Sequence, residues 1–300
     1  MQVIAEGLQF PEGPVPLADG SVLVVEIRRG TLTKIFTDGT HEVIADLGGG
    51  PNGAALGPGG QVFVCNNGGF TWHDHGGAVI PGDAPEDYRG GSIQRVDLGR
   101  GSFEMLYTHA GARALRGPND LVMDGLGGFW FTDHGKSSHG RVDYGAIFYA
   151  ACDGSRIDRV LDGLHGPNGI GLSPDGRTLY WAETITGRLW ARQIARPGVL
   201  EASPNPLQPG KLLYTTRGYR LFDSLKVEQS GRICVGTLVE GGITVVDPAG
   251  EAQFTPFPEL AITNLAFGGR DHQDVWATAS SSGRLYLLRW PRPGLKLSFT

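Results

Sequence analysis

The chain has only three cysteines in 300 residues, Cys65, Cys152 and Cys234. They are too few and too widely spaced for a disulfide framework, and no Cys-x-x-Cys pair offers a zinc site. Cys65 and Cys234 sit in apolar, strand-like runs, which predicts buried, reduced thiols. No apolar run approaches the ~20 residues of a membrane-spanning helix, and no segment sustains a 3.6-residue apolar period, which predicts little helix. Basic excess is missing too. Twenty-six Lys and Arg face 31 Asp and Glu, a formal charge of −5, which argues against nucleic acid or an anionic membrane as a partner. The N-terminal residues Met1-Gln2-Val3-Ile4-Ala5-Glu6 show no basic stretch followed by an apolar core, so the expectation is a cytoplasmic protein, monomeric or a small homo-oligomer. Neither a Gly-x-Ser-x-Gly nucleophile elbow nor a His-Glu-x-x-His zinc motif occurs.

What the chain has in quantity is turn residues. Its 48 glycines and 19 prolines are spread evenly, as many tight turns between short strands require. A unit recurs: a short apolar strand, an Asp/Gly-rich turn, a stronger strand rich in Val, Phe, Tyr, Trp and Ile, a second turn, and a third strand. The units begin near Gly13, Pro51, Pro118, Pro167, Phe222 and Thr263. Six such repeats without a linker or shift in composition predict an all-β fold. That fold is one six-bladed β-propeller spanning 1–300, with four-stranded antiparallel blades around a central channel. The sixth unit runs out after three strands, so residues 3–7 are expected to supply its outer strand and close the ring. Two insertions, 68–91 and 134–145, are expected as rim loops. They hold Trp72, His73, His75, Tyr88, His134 and His139, and long loops on a rigid scaffold often carry function.

Aligning the first strand of each unit places Glu12, Asn52, Asn119, Asn168, Asp223 and Asn264 at one position. In a propeller the first strands line the channel, so these residues meet around the axis at one end. A single Pro-Asn-Gly reads as a turn. Turn chemistry, however, gives no reason for Glu and Asp to join the set. Inward-facing oxygens are costly to bury unless satisfied, and a cation satisfies them. Carboxylate and amide oxygens without His or Cys favour a hard divalent ion, Ca²⁺ first, with Mg²⁺, Mn²⁺, Fe²⁺ or Zn²⁺ able to substitute. Glu12, Asn168 and Asp223 are the expected direct ligands, Asn119 either a fourth ligand or a substrate contact. Asn52 and Asn264 are expected one layer back, with Asn52 in reach of substrate.

At these residues the chain resembles the SMP-30/gluconolactonase/luciferin-regenerating-enzyme family. The matching motifs are Phe10-Pro11-Glu12-Gly13-Pro14, Gly117-Pro118-Asn119-Asp120, Gly166-Pro167-Asn168-Gly169-Ile170, Asp223-Ser224-Leu225 and Thr263-Asn264-Leu265-Ala266-Phe267-Gly268-Gly269. The resemblance implies a six-bladed propeller with one catalytic divalent ion, held by Glu12, Asn168 and Asp223, with Asn119 on the substrate side. It also implies hydrolysis of a sugar lactone, a small-molecule substrate. Other lactones, aryl esters or phosphotriesters are the alternative substrates, and a non-enzymatic scaffold with a structural ion is a further one. Animal members carry an arginine two residues before the asparagine. Here that position is Gly117, and Arg116 is the nearest arginine to meet substrate. Trp72 is expected either to stack on a sugar ring or to pack its loop, and His134 to line the mouth of the pocket. Because Ca²⁺ acidifies water weakly, the expected chemistry is polarisation of the lactone carbonyl by the ion with Asp223 as a separate general base.

Overall fold

The structure, a computed structural model, describes residues 1–299. Six antiparallel sheets are arranged as the blades of a propeller. The inner strands are Pro11–Pro16, Pro51–Leu56, Pro118–Met123, Pro167–Leu172, Leu221–Val227 and Asn264–Gly268. Each runs antiparallel to a second strand that is almost wholly buried, such as Val22–Glu26 or Gly128–Asp133. The β-branched and aromatic side chains of these second strands fill the space between neighbouring blades. One such cluster joins Phe63, Phe129, Phe131 and Phe148 across blades two and three. All three cysteines are buried and free. Among the described residues the only helical elements are two 3₁₀ turns, Pro58–Gly60 and Ser280–Ser282, so no helix is long and apolar enough to cross a membrane.

The N-terminal strand Gln2–Ala5 pairs with Arg284–Arg289 and completes blade six. The first and last strands of the chain thus share a sheet, and the ring is closed by their pairing. The fourth strand of blade four, Lys211–Thr215, arrives only after a detour through residues 197–210, which the repeat pattern did not reveal.

The upper end of the channel is where inner strands begin and second strands end. There one piece of geometry recurs in blades one to four. The last residue of a second strand reaches back to hold the segment that leads into its own inner strand. Glu26 accepts from the Gln9 N–H (2.6 Å), Asn66 from Gly50 (2.8 Å), Asp133 from Arg116 and Gly117 (2.7 Å each) and Glu183 from His165 (3.2 Å). These buried acceptors fix how each inner strand enters the channel.

Candidate metal centre

In five of the six blades the pairing register between inner and second strand slips at the aligned position. The slips fall between Glu12 and Val15, Pro51 and Ala54, Pro118 and Leu121, Pro167 and Ile170, and Phe222 and Leu225. A β-bulge of this kind re-aims a side chain out of the strict two-residue alternation. The Pro-Asn-Gly segments are therefore bulged strand starts rather than turns. Their glycines serve close approach of neighbouring strands. A β-carbon on Gly53 would lie 2.5 Å from the Asn119 carbonyl oxygen, and one on Gly169 would lie 2.3 Å from the Leu225 nitrogen. Blade six has no slip: Asn264 pairs regularly with Thr278.

The six aligned residues stand at the upper end of the channel, and two pairs from adjacent blades touch, Asn264 with Glu12 and Asn168 with Asp223. Asn264 Nδ2 donates to Glu12 Oε2 (2.7 Å), which also accepts from the Gly13 N–H (2.7 Å). Asn168 Nδ2 donates to Thr184 (3.1 Å), and its side chain is within hydrogen-bonding reach of Asp223. Five of the six are buried, Glu12 to 2% exposure, while Asp223 alone is partly exposed. Burial pushes the Glu12 carboxyl up to about 7, against hydrogen bonds from Asn264, Thr263 and Gly13 that favour the ionised form. Asp223 is held well above the usual carboxylate range, by burial first and by the negative charge of Glu12 second. Two carboxylates at neutral pH thus destabilise each other where no cation of the protein compensates them.

A third acid, Asp120, stands directly beside Asn119. It is 1% exposed, accepts from its neighbour Leu121 N–H (2.8 Å) and pairs with Lys226 Nζ (3.3 Å) from blade five. Its charge is felt by both Glu12 and Asp223. Sequence reasoning missed this pair. The available signal was that Asp120 takes the place where blades one, two and four have glycine.

A divalent ion fits this arrangement. The donors are all oxygen, Lys226 already neutralises Asp120, and the remaining two carboxylates match a 2+ charge. Asn119 Oδ1 is buried with no hydrogen-bond partner, which leaves its lone pairs for a cation. Among the described residues no cluster of three His, Cys, Asp or Glu could hold a metal, so any ion here depends on the amide oxygens.

The remaining sequence candidates, Asn52 apart, belong to the rim or the segments beside it. Trp72 packs on Phe10, with ring centroids 5.1 Å apart, and the Arg28 guanidinium lies over its ring at 6.0 Å. The hairpin it begins, Trp72–His75 with Ala78–Pro81, leans over blade one to the Ser280–Ser282 turn of blade six. Phe10, the anchor, holds a left-handed φ of 59° two residues before Glu12, a strained conformation for an aromatic residue. The Arg116 guanidinium is half exposed and 3.9 Å from Asp143. His134 leans on Gly166, where a β-carbon would meet its Nε2 at 2.9 Å, and burial holds its imidazole down to about 4. Asn52 is buried at its bulge with 7% exposure.

Fold and site together define a propeller whose channel carries an oxygen-lined, acid-rich end. The chain belongs to the SMP-30/gluconolactonase/LRE-like family, whose profile matches residues 10–281. It is 24% identical to a gluconolactonase of Zymomonas mobilis over 93% of this chain and 79% of that one. It is 26% identical to the lactonase drp35 of Staphylococcus haemolyticus over 83% and 70%. Among solved structures, a gluconolactonase from Xanthomonas campestris superposes with a TM-score of 0.74 at 22% identity, covering 96% of this chain and 89% of that one. A calcium-binding protein, regucalcin, from Agrobacterium tumefaciens matches with a TM-score of 0.74 at 19% identity, covering 98% and 97%. At these identities the structural likeness speaks for the fold.

Proposed function

We propose that the chain is a metal-dependent hydrolase that opens a sugar lactone, an aldonic acid lactone such as glucono-1,5-lactone, to its acid. The observation that carries this reading is the unequal pair of acids. Glu12 is sealed in the channel, whereas Asp223, which feels its charge, is the one aligned residue with partial exposure. The names of the Zymomonas and Staphylococcus relatives, a gluconolactonase and a lactonase, support the reaction class. Glu12, Asn168 and Asp223 would hold the ion, with Asn119 Oδ1 free to join them or to meet substrate. Calcium is the first choice for such hard oxygen donors, and the Agrobacterium neighbour is described as calcium-binding.

A divalent ion in this position supplies Lewis-acid polarisation of the lactone carbonyl and stabilises the charge that develops on its oxygen. The protein supplies the rest. Asp223 takes a proton from a water molecule as that water's oxygen bonds to the carbonyl carbon. When the bond from that carbon to the ring oxygen breaks, the same proton passes to the ring oxygen, which leaves as a hydroxyl. Asn119 orients the ring through a hydroxyl or the ring oxygen.

Asp223→Asn keeps an oxygen at the site and removes the base. We expect proton release with glucono-, galactono- and xylonolactone to fall by ~10²–10⁴-fold while calorimetry still detects metal binding. Turnover that survived in the metal-loaded variant would remove Asp223 from this role. A wild-type chain that holds its ion tightly, hydrolyses none of the three and is indifferent to chelator would be a scaffold.

A further inference from the structure

Lys136, in the second rim insertion, is a lysine with 5% exposure, and burial pulls its ammonium down to about 7. The acid whose charge acts on it, Asp133, is already occupied by the N–H groups of Arg116, Gly117 and Gly135. The ammonium instead donates to two oxygens of one residue of the neighbouring blade, Asn67 O (2.8 Å) and Asn67 Oδ1 (3.1 Å). Aromatic rings of the first insertion complete its cage. Phe70 lies 3.7 Å and Tyr88 5.4 Å from Nζ, close enough for a cation–π contact to replace part of the lost hydration. The same two insertions are stitched by the Ala84 N–H to the Ser137 carbonyl (2.8 Å), and Tyr88 donates to the carbonyl of Arg116.

This investment settles one detail, the orientation of the Asn67 amide. Its Oδ1 receives both Lys136 and the Gly69 N–H (2.9 Å). A flipped amide would set its NH₂ against two donors. The Nδ2 group therefore points away from them, and it is buried without a hydrogen-bond partner. An unpaired buried donor is costly, so the place calls for an acceptor. The amide lies over Gly50, where a β-carbon would come within 2.5 Å of Oδ1, on the backbone that leads into Pro51 and Asn52 at the channel mouth.

We infer that Lys136 is a positioning residue for substrate specificity. It locks the two insertions into one wall of the mouth and holds Asn67 so that its Nδ2 donates to a hydroxyl oxygen of the substrate. The wall thereby favours hydroxylated lactones over unsubstituted ones. This inference rests on the lactone-hydrolase reading and gives it a substrate preference.

Two variants separate the latch from the donor. Asn67→Asp puts a second oxygen in place of Nδ2 and keeps a partner for Lys136, whereas Lys136→Met removes the latch. With glucono-1,5-lactone, each is expected to raise KM about tenfold with kcat within about twofold of wild type. With unsubstituted δ-valerolactone, KM is expected to stay unchanged. Asn67→Asp should unfold at or above the wild-type temperature, so a folding defect cannot produce the result. If both variants leave the preference between the two lactones unchanged, or lose activity equally on both, the inference fails. If wild type turns over neither lactone, the lactonase reading is what fails. Calorimetry with the hydroxylated δ-lactam, which is not a hydrolysis substrate, then decides the wall by itself. Binding weakened about tenfold in Asn67→Asp upholds it; equal binding in the variant, or none in wild type, overturns it.

Discussion

The two ends of the channel are built by the same six strands and could hardly differ more in chemistry. At the upper end five bulged strand starts present acids and amides that repel or lack partners. A few residues further on, the same strands present Val15, Ala54, Leu121, Ile170 and Leu225 to an apolar cavity of about 70 Å³. Its floor is the C-terminal segment, from which Leu295, Leu297 and Phe299 contribute to the lining. That segment is pinned by Glu228, which is fully buried and accepts from Trp290 Nε1 (2.8 Å), Arg292 Nε (2.6 Å) and Arg292 Nη2 (2.8 Å). The Asp120–Lys226 pair belongs to both worlds, since Asp120 acts on the acids above while Lys226 lines the cavity below. One end thus stores unfavourable interactions that an ion can relieve, and the other stores ordinary hydrophobic stability. Function and stability should therefore respond to different mutations.

The largest effect tests the upper end. Glu12→Gln removes one of the two uncompensated charges. Ion affinity is expected to fall on the order of 10³-fold, more than the 10–100-fold that loss of an outer partner costs, and turnover falls with it. Without metal the sign reverses. The Glu12 carboxyl is raised from 4.5 to about 7 in the folded chain, so the folded state holds the proton more tightly than the unfolded one. Its ionisation weakens the fold as pH rises from 4.5 through 7. The metal-free variant should therefore melt higher than metal-free wild type at pH 8. If both its ion affinity and its metal-free melting temperature fell, the upper end would be a stability element like the lower.

The complementary test is Glu228→Ala, which releases the tail and leaves Arg292 and Trp290 without their acceptor. Arg292 is about one-third exposed, so water screens part of the loss, and a cost of ~3 kcal/mol is expected. The measurement is chemical denaturation. KM and kcat at a temperature where the variant is folded should match wild type. A change in KM of more than about threefold would mean that the floor of the channel communicates with its mouth.

A third, smaller effect concerns the backbone between the ends. Gly53→Ala would put a methyl group 2.5 Å from the Asn119 carbonyl oxygen and 2.7 Å from Asp120 Cα. The inner strands of blades two and three must then part. A loss of about 2 kcal/mol is expected, accompanied by weaker ion binding because Asn119 moves. If stability fell while ion affinity did not, Asn119 would be a substrate contact rather than a ligand.

These contrasts explain what could be read from the residues alone. The six repeats were legible because strand, turn and strand recur with apolar second strands, and blade closure followed from a sixth repeat one strand short. The family resemblance was legible in the ordered motifs around Glu12, Asn119, Asn168 and Asp223. The bulges were not, since Pro-Asn-Gly is equally at home in a turn, and only the slip in pairing tells the two apart. Asp120–Lys226 joins residues 106 positions apart, and Lys136–Asn67 joins residues 69 positions apart. No local pattern announces such pairs. The C-terminal plug was missed because the repeat had ended, although the alternation of Leu295, Leu297 and Phe299 was a strand-like signal.

The smallest effect separates the rim from both ends. The folded-state value of His134 is about 4, against 6.5 for a free imidazole, because burial disfavours the charged ring and Lys136 adds repulsion. Above pH 6.5 the ring is neutral in both states and costs nothing. As pH falls from 6.5 towards 4, the unfolded chain takes up a proton that the folded chain refuses, so stability drains away through that window. The loss should reach about 1 kcal/mol by pH 5.5. His134→Gln carries no such proton, and its denaturation midpoint should fall less between pH 7 and 5.5 than that of wild type. The Glu228 clamp works in the opposite sense to Glu12, its carboxyl being held below the usual value by Arg292, Trp290 and Ser230 against the cost of burial. Its contribution drains as pH falls from 4.5, where the unfolded carboxyl takes up its proton, towards that lowered value, so the two acid-side losses are separable by the pH at which each begins. An unchanged slope in His134→Gln would mean that the imidazole is solvated at the mouth, and the rim wall would then be open where the geometry of Gly166 and Lys136 has it closed.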